Sequence, residues 1–471
     1  METKIIIILA ITVSYFIIMS LIAVTVRKHA SNSEGFTTGG KTFPAFLIAA
    51  LFLSEFIGSS ISIGTAQKGY EVGISAAWNL VAIALGFLLL GLFLAKKYRE
   101  TGINTISGIL DKNYGRQTRY ATSLLSIFAF STVSVAIYAS GGALIATILG
   151  ISKPLAIVLT GIFTVFYISI GGMRSIVYTN FFNTIVKYIG MILVVAFGLK
   201  LTGGVSNLKL QLPESMFDWT AIGFGQIFSW VIAGIGSIFA TQYIIQAITT
   251  TEDNNKARRA CYYVSILMIP FGLLAALAGM CSAYLYPNIA SINSLPVLVS
   301  NMPTFSAAIV VTGLAGAMLG TISATTIASS TLLLKDFYEP YFNKGKDDRK
   351  SVNFIRIAVI AFGLLPLLLA IFADQVLMIA FLGKGLRATL AVLILMCFFA
   401  PKFGTGKGAY YGIILSVITT IGWYLLGNPY GIDSTYMAFA APILTMLISH
   451  FFKDKSLNTQ DVEPLNTSVS P

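Results

Sequence analysis

The amino-acid sequence predicts an all-α integral membrane protein with thirteen transmembrane helices. Of its 471 residues, 56% are hydrophobic and only 11% are charged, whereas soluble proteins carry roughly 25% charged residues. The 33 Phe residues are spread along the whole chain, which leaves no stretch that could form a water-soluble domain. At roughly 20 residues per span, the apolar residues are enough for about thirteen membrane helices.

The first predicted span, Ile5 to Val26, contains no charged residue and is followed by Arg27 and Lys28. A cleaved signal peptide starts with basic residues and ends in a small-residue cleavage site. Neither feature is present, so a permanent helix is expected. The other twelve spans are predicted at residues 44–70, 72–95, 120–149, 154–171, 175–199, 222–247, 260–286, 304–334, 355–373, 376–400, 408–427 and 435–452.

The basic residues predict the orientation. Of the 31 Lys and Arg residues, 23 lie in alternate loops on one side and five on the other, and the basic side of a membrane protein faces the cytoplasm. The sequence therefore predicts a multi-pass protein of the plasma membrane with its N-terminus outside and its C-terminus in the cytoplasm. The net charge of +12 is thus explained by topology and indicates no nucleic-acid partner.

Four segments follow from these spans: residues 1–43, an extra helix and the first loop; 44–401, the transport core; 402–452, two C-terminal helices; and 453–471, a polar tail. Residues 35–42 match the phosphate-loop pattern, but that loop requires a preceding β-strand, and a membrane helix precedes it here. With two His and three Cys residues, we expect no enzyme, no metal cluster and no cofactor other than a coupling ion. No obligate protein partner is predicted.

Span two combines a carboxylate with small residues: Glu55 is followed by Gly58 and Ser59, with Gln67 further on. Close packing between helices explains Gly and Ser, but a carboxylate at mid-membrane costs about 2.5–3.5 kcal/mol. A helix that breaks beside a cavity frees its carbonyls for a cation or a solute. We therefore predict that span two lines the transport site, with Glu55 in coupling or gating and the other three in solute contact.

Span nine carries hydroxyls at Thr321, Thr325 and Ser329, four residues apart. Hydroxyls and carbonyls are the oxygen ligands that hard cations prefer. The alternative is that Gly316 and Gly320 admit a neighbouring helix while the hydroxyls bond back to their own helix. The pattern alone does not separate the two.

These segments resemble the sodium:solute symporter family over nearly the whole chain, with the core of the match at about residues 36–412. Beside span two, the markers are Tyr98–Ile106, Tyr167–Asn180, Gln242-Tyr243 and the segment from Ala317–Thr321 to Lys335–Tyr338. The resemblance implies a LeuT-type core of two inverted five-helix repeats, spans two to six and seven to eleven, with the solute near the midplane.

The resemblance also implies a sodium site formed by the carbonyls of Leu53, Phe56 and Ala317 and the hydroxyl of Thr321. Two features depart from the family pattern. Position 320, where the family supplies a second hydroxyl, is Gly, and Asn180 stands where the family usually has Asp. Both departures lower the expected affinity for Na⁺.

Two turns after Asn180, on the same helical face, lies Lys187. In this fold its helix borders the cation region, so its side chain could supply the positive charge in place of Na⁺ or carry a coupling proton. The alternative is a purely structural role. The three intramembrane cations are Lys187, Lys384 and Arg387.

Lys384 and Arg387 share one face of span eleven, in a helix that borders the vestibule in this fold. They could pair with Glu55 as a gate or bind a solute carboxylate. The excess of positive charge favours an anionic or zwitterionic solute. From span seven, Phe239 and Gln242 are further candidates for solute contact.

The sequence thus predicts a cation-coupled symporter that imports a small organic solute by alternating access, with Na⁺ as the first choice of ion. A proton-coupled transporter with a degenerate sodium site is the alternative within this class. A solute sensor or a channel on the same fold is the alternative from another class. The identity of the solute does not follow from the sequence.

Overall fold

The computed structural model describes residues 2–26, 43–249, 251–345, 347–373 and 376–452, and these residues are mostly helical. The phosphate-loop-like segment 35–42 and the polar tail 453–471 lie outside the described residues. The helices are α1 Glu2–Val26, α2 Ala45–Phe56, α3 Ser59–Val72, α4 Trp78–Leu89, α5 Ala95–Glu100, α6 Ile106–Tyr114, α7 Arg116–Leu149, α8 Lys153–Thr202, α9 Val205–Gln211, α10 Phe224–Phe239, α11 Gln242–Thr249, α12 Asn254–Leu285, α13 Ser294–Ser300, α14 Thr304–Leu333, α15 Glu339–Phe342, α16 Asp348–Ala370, α17 Val376–Phe399, α18 Gly406–Leu425 and α19 Thr435–Phe451.

The prediction of an all-helical membrane protein is confirmed, whereas the count of thirteen spans is not. Among the described residues, nine helices are long and apolar enough to cross a bilayer, and α10 with α11 forms a tenth, bent span. Predicted spans five and six lie in one continuous helix, α8, of 50 residues. At 1.5 Å per residue that helix is more than twice as long as the hydrocarbon core is thick.

Two spans are broken near their centres. Helix α2 ends at Phe56 and α3 begins at Ser59, and Gly58 between them is in an extended conformation with φ −72° and ψ 172°. Helices α10 and α11 meet at an angle of 45°. Such breaks are tolerated inside a membrane only where the freed backbone groups find partners or line a cavity.

Gly58 is required at the first break because α14 lies directly against it. A Cβ atom at this position would lie 2.7 Å from Thr321 Oγ1. Gly58 therefore allows α14 to approach span two closely, as close packing between helices predicts. The break itself frees backbone groups at the end of α2 and the start of α3.

Helix α14 lies at the centre of the helix packing. Helix α14 packs against α7 and α8, helix α10 against α4 and α17, and helix α12 against α3 and α4. Within the most apolar window of α14, 83% of the residues are buried. Since α14 is surrounded by protein, its hydroxyls face other helices rather than lipid.

One buried charge outside the broken helices has a complete set of partners. Asp336, with a side chain 0% exposed, accepts a hydrogen bond from Arg119 Nε at 2.7 Å. It also accepts from Ser107 Oγ at 2.5 Å and from Ser123 Oγ. Arg119 in turn forms an ion pair with Asp111 at 3.0 Å. This cluster joins α6 and α7 to the end of α14.

The first helix is anchored at its N-terminal end. Lys4 Nζ donates to the carbonyls of Ser300, at 2.7 Å, and Met302, at 2.5 Å. These carbonyls end α13, a short helix inside the predicted loop between spans eight and nine. A Lys at a helix C-terminus also complements the helix dipole, so Lys4 fixes α1 to that loop.

Candidate cation and solute site

A cavity lies between the α2/α3 break, α7, α11, α14 and α17. Its lining residues are Glu55, Phe56, Gly58, Ser60, Ile61, Val133, Ile137, Tyr243, Thr321, Thr325, Ala380, Lys384 and Arg387. Six of the residues predicted for the site, from three separate spans, therefore meet around one cavity. They are Glu55, Phe56, Gly58, Thr321, Lys384 and Arg387.

Lys187 lies behind this cavity, with its ammonium inserted into the break between α2 and α3. Its side chain is buried, with the residue 4% exposed. Nζ donates to the carbonyl of Ser54, to Ser54 Oγ at 3.0 Å and to the carbonyl of Ile57 at 3.1 Å. An ammonium has three protons to donate, so all three are matched by oxygen acceptors.

The carbonyls that receive Lys187 are displaced by one residue from the predicted pair, Leu53 and Phe56. The carbonyl of Leu53 accepts the backbone N–H of Ile57 at 2.9 Å and closes the last turn of α2. Ser54 and Ile57, three residues apart, direct their carbonyls at Lys187 instead. Phe56 contributes its ring to the cavity lining.

Asn180 fills the space beside Gly320. Its Oδ1 accepts from Ser54 Oγ at 2.5 Å and from Asn183 Nδ2 at 3.5 Å. A Cβ atom at position 320 would lie 2.3 Å from Asn180 Oδ1 and 2.8 Å from Ser54 Oγ. The absence of a side chain at position 320 is therefore coupled to the amide at position 180, because a side chain at 320 would require Asn180 and Ser54 to shift.

Helix α14 contributes one hydroxyl to the break. Thr321 Oγ1 lies 2.8 Å from the carbonyl of Glu55 and 3.1 Å from that of Ala317. Its single hydroxyl proton is thus donated to a carbonyl of the protein, and the carbonyl of Ala317 lies within hydrogen-bond distance of this hydroxyl. Thr325 forms a hydrogen bond with Ser134 Oγ at 2.9 Å.

Glu55 and Lys384 face the cavity without hydrogen-bond partners. They are 2% and 4% exposed, yet neither carboxylate oxygen of Glu55 nor Nζ of Lys384 has a partner among the described residues. Lys384 Nζ lies 4.5 Å from the centre of the Phe381 ring. The predicted pairing of Glu55 with Lys384 or Arg387 is absent from the described contacts.

Arg387 is partly engaged. Its Nε donates to the carbonyl of Gly383 at 3.1 Å, and one terminal nitrogen donates to Thr241 Oγ1 at 2.6 Å. The guanidinium lies 5.3 Å from the centre of the Phe130 ring. A guanidinium has five N–H donors, so further donors remain for a ligand.

The structure places four of the residues predicted for solute contact away from the cavity lining. Ser59 bonds with Ser140 Oγ at 2.9 Å, and Gln67 Nε2 donates to Ser291 Oγ at 3.2 Å. Gln242 binds the backbone before α6, accepting from Ile106 N at 2.9 Å and donating to the carbonyl of Asn104 at 2.8 Å. The carbonyl of Phe239 accepts from the Tyr98 hydroxyl.

Sequence reasoning missed several residues of the site. Ser54 and Ile57, whose carbonyls accept from Lys187, are next to the predicted positions Leu53 and Phe56. Tyr243 and Ser60 line the cavity, and both are neighbours of residues that the sequence did indicate. Val133 and Ile137 lie one turn apart on α7, and as apolar residues in a membrane helix neither of them indicated a site. Among the described residues no group of His, Cys, Asp and Glu could hold a metal cluster.

Broken helices that surround a buried, charged cavity define a class of membrane transporters, and the comparisons with known proteins name the family. The Sodium:solute symporter family profile matches residues 36–416. The chain belongs to this family, whose members are transporters rather than enzymes, and it is a multi-pass membrane protein.

Two curated relatives match along almost their entire length. The high-affinity proline transporter PutP of Bacillus subtilis is 25% identical over 91% of this chain and 94% of its own. The sodium/pantothenate symporter of Haemophilus influenzae is 24% identical over 92% of both chains. These relatives carry different solutes, so the family does not identify the solute of this chain.

The solved structures show the fold. A Na⁺-coupled sialic acid symporter in a substrate-bound, outward-open state matches with a TM-score of 0.80 at 17% identity, over 95% of this chain and 98% of its own. The transporter Mhp1 in a closed conformation matches with a TM-score of 0.58 at 15% identity. The predicted LeuT-type fold is confirmed.

Proposed function

We propose that this chain imports a small organic solute by alternating access and that Lys187, rather than Na⁺, provides the cation at the broken helix. Transport is then coupled to protons. The observation that carries this proposal is the position of the Lys187 ammonium, which donates to the carbonyls of Ser54 and Ile57 and to Ser54 Oγ.

Freed carbonyls at the centre of a broken helix are the groups that a transported cation would bind. Here an internal cation already uses them. Two unit charges 4 Å apart repel by about 4 kcal/mol at an effective dielectric constant of 20. A sodium ion beside a charged Lys187 would therefore bind about a thousandfold more weakly.

The neighbouring residues support the same proposal. Asn180 carries no charge, and position 320 is Gly and supplies no hydroxyl. Thr321 Oγ1 lies within hydrogen-bond distance of the carbonyls of Glu55 and Ala317 and keeps its lone pairs. The oxygen set that would attract Na⁺ is thus smaller than the family resemblance implies by one hydroxyl and one carboxylate.

Coupling follows from the protonation state of Lys187. As an ammonium, Lys187 holds the end of α2 and the break that follows it to α8 through three hydrogen bonds. A neutral amine has one proton fewer and no charge, so this attachment weakens when the proton leaves. The position of the broken helix and the binding of a proton are then linked, each favouring the other by the same free energy.

The test uses purified protein and needs no knowledge of the solute at its first step. Thermal unfolding is measured in NaCl, KCl and choline chloride at equal ionic strength. We expect the same midpoint in all three salts for the wild type. A midpoint that rises specifically with NaCl contradicts the proposal, because it shows a sodium site in the presence of Lys187.

The second step compares driving forces in proteoliposomes. Uptake of a mixture of labelled amino acids and small carboxylates is measured under a Na⁺ gradient at equal pH, and under an inward proton gradient without Na⁺. We expect accumulation only with the proton gradient, and its loss in Lys187→Met. Lys96→Met, which removes an exposed lysine, is the matched control. Accumulation driven by Na⁺ alone supports sodium coupling instead.

A further inference from the structure

The cavity is lined by one buried acidic and one buried basic side chain whose ionisable atoms have no hydrogen-bond partner, and these define what it can bind. Of the partnerless buried side-chain atoms in the described part of the chain, three belong to the cavity lining. They are the two carboxylate oxygens of Glu55 and Nζ of Lys384. Buried charges without a hydrogen-bond partner cost several kcal/mol each, so a ligand that satisfies both gains that energy on binding.

The two groups do not neutralise each other. Glu55 is at the end of α2 and Lys384 is on α17, and no ion pair joins them. Glu55 interacts electrostatically with Lys187, but the three protons of Lys187 are donated to Ser54 and Ile57. The cavity therefore has a negative pole at Glu55 and a positive pole at Lys384 and Arg387.

The remaining walls offer few free hydrogen-bonding groups. Phe56, Ile61, Val133, Ile137 and Ala380 are apolar. The hydroxyls of Thr321 and Thr325 are bonded within the protein. The hydroxyls of Ser60 and Tyr243 also line the cavity. A neutral sugar can bond with them, but it carries no charge to match Glu55, Lys384 and Arg387.

We infer that the transported solute is a small zwitterion with one carboxylate and one ammonium that bears N–H protons. This inference rests on the proposed function, in that it takes this cavity as the solute site. The solute carboxylate binds Lys384 and the free donors of Arg387, and its ammonium donates to the two oxygens of Glu55. A simple anion leaves Glu55 buried without a donor, and a simple cation does the same to Lys384.

The geometry also selects among zwitterions. Both oxygens of Glu55 are acceptors that require a proton donor. A primary or secondary ammonium supplies such donors, whereas a quaternary ammonium has none and can offer only its charge. We therefore expect α-amino or α-imino acids to bind more tightly than their N-trimethyl derivatives.

The experiment measures equilibrium binding to the detergent-purified full-length protein by calorimetry, in KCl and again in NaCl. The probes are the twenty standard amino acids. Each one that binds is then compared with the carboxylate that lacks its amine, the amine that lacks its carboxylate, and its N-trimethyl derivative. We expect at least one amino acid to bind, and each altered analogue to bind at least tenfold more weakly.

Two variants assign the poles. Glu55→Gln is expected to weaken the amino acid at least tenfold while leaving the amine-free carboxylate unchanged or tighter. Lys384→Gln is expected to weaken the amino acid while leaving the carboxylate-free amine unchanged or tighter. These opposite preferences cannot arise from misfolding alone. Glu100→Gln and Lys96→Gln, which alter an exposed pair, are the matched controls and should change no affinity.

The inference is overturned if no amino acid binds, if an amine-free carboxylate or a sugar binds as tightly, or if Glu55→Gln leaves amino-acid affinity unchanged. Its failure differs from that of the proposed function. Amino-acid binding that requires NaCl would contradict proton coupling but support a zwitterionic solute. Binding of carboxylates alone, independent of Na⁺, would contradict a zwitterionic solute but remain consistent with proton coupling.

Discussion

Two neighbouring regions at the centre of the molecule differ in whether their buried ionisable side chains have hydrogen-bond partners. At the α2/α3 break, Lys187 has an oxygen acceptor for each of its three protons. In the adjoining cavity, Glu55 and Lys384 have no hydrogen-bond partner. Both regions are buried and both are charged, so burial alone does not separate them.

Whether a buried charge has hydrogen-bond partners therefore indicates whether it stabilises the fold or binds a ligand. A buried charge with all its partners stabilises the protein that holds it, and removing it leaves those partners unsatisfied. A buried charge without partners destabilises the protein and is satisfied only when a ligand arrives. Substituting a buried charge that has partners should therefore lower stability, and substituting one without partners should weaken ligand binding.

The largest expected effect is at Lys187. The substitution Lys187→Met leaves two carbonyls and one hydroxyl without their donor and leaves Glu55 without a nearby positive charge. Breaking one side of a buried charged network costs about 3–5 kcal/mol. We expect a clear fall in the thermal midpoint, measured by intrinsic fluorescence, with Lys96→Met unchanged. An unchanged midpoint would show that the hydrogen bonds of Lys187 do not stabilise the fold.

Asp336 tests whether the rule holds outside the transport site. Asp336→Asn weakens its ion pair with Arg119 and replaces one acceptor oxygen by a donor that faces serine hydroxyls. We expect a loss of about 2–4 kcal/mol, read from the same thermal unfolding. Glu100→Gln, in an exposed pair at 3.6 Å, should cost less than about 1 kcal/mol. Equal effects for the two variants would contradict the comparison.

Lys384 is expected to behave in the opposite way. Lys384→Met removes a partnerless ammonium and keeps most of its volume, so the ligand-free protein should gain about 1–3 kcal/mol in stability. At the same time solute-dependent stabilisation should disappear. Both quantities come from thermal unfolding with and without the bound amino acid. A destabilised variant would mean that Lys384 has a structural role.

The smallest effect is expected at Lys4, a charge that has partners but lies at the edge of the molecule. Lys4→Ala removes the two hydrogen bonds to Ser300 and Met302, and because the site is only partly buried we expect a loss of about 1 kcal/mol. Lys200→Ala, which removes an exposed lysine, is the control. If both variants unfold at the wild-type temperature, the anchoring of α1 does not depend on Lys4.

Much of the fold could be predicted because a bilayer leaves few alternatives. Apolar runs of about 20 residues must be helices in lipid, and Glu55 amid Gly and Ser indicated the broken span. The extent of α8 was not predictable in this way. Residues 171–174 contain two Gly and one Arg but no Pro, and without a Pro the backbone can continue as helix through a polar segment.

The site was predicted only in part, and the errors have physical causes. The residue types Glu55, Lys384 and Arg387 are so costly in a membrane that their positions alone mark the cavity. The carbonyls carry no such signal, since every residue has one, so the sequence did not indicate that Ser54 and Ile57 direct theirs at Lys187. Gln242 looked like a solute contact because it is polar, yet it binds the backbone before α6.

The contact between Gly320 and Asn180 constrains how this site can be altered by mutation. A methyl group at position 320 would meet Asn180 Oδ1 at 2.3 Å, so a serine there first requires a smaller or displaced side chain at position 180. Removing Lys187 alone leaves its oxygen acceptors empty. The effect of a substitution at position 180, 187 or 320 therefore depends on the residues at the other two, and a change towards a sodium-ligating arrangement involves all three positions together.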